Sequence, residues 1–142
     1  MKDELNMFED GFVLDCSVTM TWLFKDEITD YTQSILKTLD KVTAFVPMIW
    51  LLEVDNVLLM AEKKQRITHL NAIAFKNALK QLSIQQEAYS QEVYEIAREF
   101  QLTAYDASYL CLALSKNSPI ATLDKALLNA AKKSGISLYI PT

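Results

Sequence analysis

Glycine and proline are scarce in this 142-residue chain, at two and three residues. Tight turns rely on them, so a sandwich or barrel of many short strands is disfavoured and long helices with short connections are expected. Two glycines cannot build a phosphate-cradling loop. Histidine is rarer still. His69 stands alone beside Thr68 near an expected helix start, reads as a surface residue, and leaves a Ser-His-Asp triad no second ring to use. The two cysteines, Cys16 and Cys111, lie far apart, match no metal spacing, and read as small buried residues of a reducing compartment. The first ten residues are charged and lack the apolar stretch of a secretory signal, so residues 1–10 are expected to be a polar leader. No apolar run reaches the roughly 18 residues needed to cross a bilayer. The expectation is a cytoplasmic protein with no membrane attachment.

What is present is a core. Apolar residues make up 51% of the chain, enough for one continuous domain over residues 1–142. The formal net charge is −4, which disfavours a protein living on duplex DNA through a broad basic face. An enzyme that touches a short stretch of RNA and carries acids for its chemistry remains compatible. The Lys63, Lys64 and Arg66 patch reads as a solvated helix end with the option of contacting RNA.

Gly11-Phe12-Val13-Leu14, ending at Asp15, predicts a buried strand. A short helix is expected over Ser17 to Phe24 with Ser17 as its cap, and another over Thr29 to Leu39. Thr43 to Val46 predicts a second buried strand. Pro47 then suits the first turn of a helix reaching about Lys63. That helix is apolar nearly all round, which implies burial on more than one side. Thr68 can cap the next helix, Ser83-Ile84 predicts a brief strand, and Ser90 to Phe100 and Thr103 to Lys116 predict helices. Pro119 to Leu123 reads as a strand, Asp124 to Lys133 as a helix ended by Gly135, and Ser137 to Ile140 as a final strand. Strands alternating with helices make βαβ units, hence a three-layer α/β/α domain with a central parallel sheet.

Four acids stand out. Asp15 and Asp124 follow strands, where open α/β sheets bind their ligands, although either can instead cap the helix that follows it. Asp106 follows Thr103 in a Thr-x-x-Asp pattern close to a capping box, and a carboxylate in a first helical turn can serve the helix, a ligand or both. Glu53 lies among apolar neighbours, where a carboxylate is costly unless paired, protonated or bound to a metal; a buried lysine is one available partner. Asn56, one helical turn on, can orient Glu53, whereas Asp55 points elsewhere, to solvent. If the strands bearing Asp15 and Asp124 are neighbours, all four acids converge on one end of the sheet. Carboxylates without Cys or His form a hard-oxygen site suited to Mg²⁺ or Mn²⁺. Such a site can activate water and stabilise charge on a phosphodiester.

Four segments occur in order: Phe-Val-Leu-Asp15-Cys-Ser17 with Trp22 and Asp26-Glu27, Pro47-x-x-Trp50-x-x-Glu53-Val-x-Asn56-x-Leu58, Leu-Thr-Ala-Tyr-Asp106-Ala-x-Tyr109-Leu, and Ala-Thr122-Leu-Asp124-x-x-Leu127. Together they resemble the PIN domain of VapC-type toxins, from about Gly11 to the C-terminus. The resemblance implies a PIN-like fold and an endoribonuclease dependent on Mg²⁺, with Mn²⁺ as a substitute, acting on RNA such as tRNA. It implies a catalytic metal-site role for Asp15, Glu53, Asp106 and Asp124, with Ser17 and Thr122 as supporting hydroxyls and Asn56 behind them. It also implies a homodimer and a cognate antitoxin that blocks the site.

Two other readings compete. In one, the acids cap helices and grip a basic peptide, making a non-catalytic binding module. In the other, the domain is a receiver-like phosphoacceptor, which needs a lysine at a late strand exit; Lys125, directly after Asp124, is ill placed for that.

Overall fold

In the computed structural model, which describes residues 11–142, four parallel strands form one sheet in the order β3-β2-β1-β4. The strands are β1 (Phe12–Leu14), β2 (Ala44–Pro47), β3 (Ile84–Glu87) and β4 (Ile120–Ala121). The leader expected over residues 1–10 lies outside the described residues. Seven α-helices flank the sheet among the described residues: α1 (Cys16–Thr19), α2 (Asp30–Thr38), α3 (Ile49–Lys63), α4 (His69–Lys80), α5 (Val93–Phe100), α6 (Ala104–Lys116) and α7 (Lys125–Lys133). The expected α/β architecture with a central parallel sheet is the one observed.

Phe12, Val13 and Leu14 are fully buried, as a central strand of a sheet covered on both faces must be. The chain winds from β1 out to β3 and returns on the far side of β1 as β4, so the winding reverses between β1 and β4. In open α/β sheets such a reversal leaves a crevice beyond the carboxyl ends of the two strands. Leu14 pairs with Ala121, so Asp15 and Thr122 leave the sheet side by side. Threonine caps set three helix starts. Thr29 and Thr32 form a reciprocal capping box on α2, Thr68 and Asn71 another on α4, and the Thr103 hydroxyl accepts from the Asp106 N–H at 3.1 Å on α6.

Several local expectations are corrected. Ser17 lies inside α1 rather than capping it, and the helix stops at Thr19 before a 3₁₀ turn over Met20–Trp22. Pro47 is the last residue of β2, not the first of a helix; it lies past Phe45, the last β2 residue paired with β1, where a missing N–H is tolerated. The segment from Ser137 to Ile140 makes a single parallel bridge, Leu138 to Ile120, because the two-residue β4 offers no longer edge to pair with. Tyr139 holds this segment instead, its ring stacked on Phe12 at 4.1 Å. Helix α3 buries Trp50, Val54, Leu58 and Ala61 along one stripe and leaves Leu52 and Leu59 about two-thirds exposed, at 65% and 66%. Burial on more than one side is therefore not what the described residues show.

Gly11 packs against the Phe45 ring and the Thr43 carbonyl so closely that any Cβ would overlap the ring. Gly11→Ala should cost roughly 1–3 kcal/mol by displacing that ring or the backbone at the start of β1. The check is a lower urea midpoint at unchanged slope.

Candidate active site

Asp15 is the residue from which the site is built. It follows β1 directly, its N–H bonds the Ala121 carbonyl at 3.0 Å, and only 5% of the residue is exposed. The Ser17 hydroxyl donates to Asp15 Oδ2 at 2.6 Å and the Thr122 hydroxyl donates to the same oxygen at 2.7 Å. Both hydroxyls also accept from the loop after β4: Leu123 N–H to Ser17 at 3.0 Å, and Asp124 N–H to Thr122 at 3.0 Å. One carboxylate oxygen thus joins the two strand exits.

The capping roles can now be assigned. Asp124 is a cap, its Oδ1 accepting from the Leu127 N–H at 2.9 Å. Asp15 occupies the cap position of α1 without making a side-chain cap bond. Asp106 does not cap α6, since Thr103 does. Capping therefore accounts for one acid of the four.

Glu53 is half-buried on α3 and accepts a 2.5 Å hydrogen bond from the Tyr109 hydroxyl of α6. Asn56, expected to orient it, is exposed and makes no side-chain hydrogen bond among the described residues. Tyr109 takes that place, and its position one helical turn beyond Asp106 was the signal available in the sequence. The buried-lysine alternative for Glu53 is not observed, because no ion pair among the described residues involves any of the four acids. Asp55 pairs with Lys76 at 2.7 Å instead of standing free in solvent. His69 is exposed at the start of α4, and Arg66 is engaged with Asp26 and Glu27 and stacked over Phe24.

Burial dominates the electrostatics. It raises the Asp15 carboxyl above its ordinary value despite the two hydroxyl donors that lower it, and the Asp124 charge raises it further. Burial also raises Glu53, against the Tyr109 bond, with the charges of Asp15 and Asp106 adding to the effect. Asp106 is pushed up to about 6 by burial and then by Asp124 and Asp15. A hydrogen bond to a charged group contributes about 1.5–3 kcal/mol, yet here two of them do not offset burial and repulsion. The charges of the acids therefore raise one another's carboxyl groups. The Cys16 thiol beside them is held neutral by burial and by the charges of Glu53 and Asp15.

Among the described residues no three acidic, histidine or cysteine side chains are grouped so that they hold a metal ion as they stand. The donors nevertheless have the chemistry a hard divalent ion takes: they are all oxygens, no basic side chain among the described residues pairs with them, and both side-chain donors to Asp15 go to one of its oxygens. Mg²⁺ suits an open shell of this kind, since it keeps several waters and is usually held through one or two carboxylates.

A sheet whose winding reverses beside a buried aspartate, with further acids arriving from α3, α6 and the exit of β4, defines an α/β domain with an acidic site at its switch point. The PIN domain family model matches residues 12–133, and the chain belongs to that family, whose members are typically metal-dependent nucleases. No curated protein matches the chain. Among solved structures it is similar to PAE2754 from Pyrobaculum aerophilum, at TM-score 0.68 and 23% identity over 86% of this chain and 80% of that one. It is also similar to VapBC2 from Rickettsia felis, a structure bound to a DNA fragment from its promoter, at TM-score 0.63 and 13% identity over 91% and 97% of the two chains. These two likenesses show the fold.

A raised carboxyl binds its proton more tightly when folded, so Asp106 lowers stability as pH climbs from about 4, its unfolded value, through about 6, its folded one. Without divalent ions, Asp106→Asn should melt higher than the parent at pH 7 and no higher near pH 3.5. A gap of the same size at both pH values would contradict this.

Proposed function

We propose that this chain acts as a single cytoplasmic PIN domain and is a divalent-metal-dependent endoribonuclease, the toxin of a toxin–antitoxin pair that hydrolyses RNA, with tRNA the substrate class to test first. Asp15, Glu53, Asp106 and Asp124 would hold Mg²⁺, or Mn²⁺ in its place, with Ser17 and Thr122 supporting Asp15. The observation that carries this reading is Asp15, a buried carboxylate fixed by two hydroxyls at the switch point and repelled by acids that no basic side chain compensates. A bound divalent ion would offset that repulsion and supply a Lewis acid and an activated water for attack on a phosphodiester. The chain's own residues would orient the acids; the buried Trp50 donates to Thr19 at 3.0 Å and so ties α3 to α1, the helix that follows Asp15.

Contact with RNA is supported by α7, which begins directly after Asp124. Lys125, Asn129, Lys132 and Lys133 lie along one exposed stripe of this helix, and α7 carries no acid. Among the described residues none of these lysines is ion-paired, whereas Arg66 of the patch first singled out is. Protein partners, an antitoxin and a second copy of this chain, are supported by exposed apolar surface. Leu52 and Leu59 of α3 are open to solvent, and an apolar groove of about 450 Å³ lined by Met48, Leu52, Tyr89, Val93, Tyr105 and Leu112 lies beside Glu53 and Asp106. Among the described residues no helix is long and apolar enough to cross a membrane.

The test is incubation of the purified, partner-free protein with total tRNA and Mg²⁺ or Mn²⁺, beside EDTA and Asp15→Asn. Discrete fragments are expected that vanish in both controls, and Mn²⁺ should raise the melting temperature of the parent but not of Asp15→Asn. Cleavage that survives in Asp15→Asn would overturn the assignment. Absence of both cleavage and Mn²⁺-linked stabilisation would favour the basic-peptide module.

A further inference from the structure

Of the four acids, only Glu53 comes neither from a strand exit nor from a first helical turn. It sits on the second turn of α3, on a side chain with three rotatable bonds, so backbone geometry alone leaves its carboxylate free to swing. Two polar links remove that freedom. The Trp50 indole N–H, one turn before Glu53, donates to the Thr19 hydroxyl at 3.0 Å, and that hydroxyl donates to the Asp15 carbonyl at 3.3 Å. The Tyr109 hydroxyl, one turn beyond Asp106 on α6, donates to Glu53 Oε1 at 2.5 Å. The first link ties α3 to the element bearing Asp15, and the second ties it to the helix bearing Asp106.

Tyr109 is well suited to the task. It is fully buried, so core packing rather than a mobile surface chain sets the position of its oxygen. It makes no other side-chain hydrogen bond among the described residues. As a neutral donor it orients a carboxylate without cancelling its charge, whereas a lysine at that place would compete with a bound cation. One oxygen of Glu53 is held, and the other accepts no side-chain hydrogen bond among the described residues.

Resting on the nuclease reading above, we propose that Tyr109 is a positioning residue for the metal site: its hydroxyl holds Glu53 in the orientation that binds a divalent cation. Metal affinity, not fold stability, is the discriminating quantity, because a purely structural tyrosine would leave affinity unchanged. The experiment is a cycle of four full-length proteins, the parent, Tyr109→Phe, Glu53→Ala and the double variant, each titrated with Mn²⁺ by calorimetry and by the loss of the free-ion electron spin resonance signal. Tyr109→Phe removes one oxygen and keeps the ring, and hydrogen bonds behind a ligand are typically worth tenfold or more in affinity. The expected result is a roughly tenfold weaker Mn²⁺ dissociation constant in Tyr109→Phe, with no further loss when the change is made in Glu53→Ala. Equal affinity of the parent and Tyr109→Phe, or an equal loss in the Glu53→Ala background, would overturn the proposal while leaving the nuclease reading intact. A parent that binds no Mn²⁺ would overturn both. If Tyr109→Phe does not fold, Glu53→Gln offers a second comparison. It keeps an oxygen to accept the Tyr109 bond but loses the charge, so it should fold normally and bind Mn²⁺ more weakly; unchanged binding would count against the proposal.

Discussion

The buried carboxylate of Asp15 is the constraint on which the rest depends. Its Oδ2 receives both Ser17 and Thr122, and those hydroxyls in turn receive the Leu123 and Asp124 N–H groups, so β1, α1 and the exit of β4 meet at one oxygen. An unpaired carboxylate this deep would cost several kcal/mol. Two donors reduce that cost without removing it, as the raised Asp15 carboxyl shows. The sheet order follows the same logic. Only with β4 beside β1 can Thr122 reach Asp15, and only at a point of reversed winding does that junction open toward a ligand rather than toward another strand.

The architecture and the places the four acids take on it were legible because they depend on local signals. A three-residue apolar run before Asp15, a cap threonine before Asp106 and a short strand before Asp124 each mark one end of an element, and the ends of alternating strands and helices fall on common sides of a sheet. The partners of those acids were less legible. Asn56 sits at the helical spacing that pairs side chains along α3, yet Glu53 is held from α6, across 56 residues of sequence, by the buried Tyr109. Periodicity reports which face of a helix a residue occupies; it does not report which neighbouring helix faces it.

The apolar content of α3 misled for a related reason. Leucines all round a helix can signal two buried faces within one chain, or one buried face and one awaiting a partner. Trp50, Val54, Leu58 and Ala61 meet the core, while Leu52 and Leu59 meet solvent. The pattern is the same in both cases, so only the packing of the folded chain separates them. Pro47 shows the same ambiguity at the other end of the connection, since its fixed φ and missing N–H suit a strand terminus as well as a first helical turn.

On the proposed nuclease reading, the distribution of charge reconciles an acidic protein with a polyanionic substrate. From Ala107 to Thr142 the side chains include four lysines and a single aspartate, Asp124, so the acidity of the whole chain is concentrated before that point. Lys125 opens α7, where the helix dipole disfavours a cation. A lysine there raises the energy of the isolated helix slightly, but it directly follows Asp124, and on the proposed nuclease reading it would meet a substrate phosphate beside the acids. Lys132 and Lys133, in the last turn, suit the dipole and need no such explanation. Acids gathered at the sheet end and the lysines of the adjoining helix, which carries no acid, keep the two charges apart. A uniformly basic surface would bind nucleic acid more tightly, but it would also lower the charge of the carboxylates and weaken their hold on a cation. A local strip avoids that conflict, and it would limit the contact to a few phosphates near the acids.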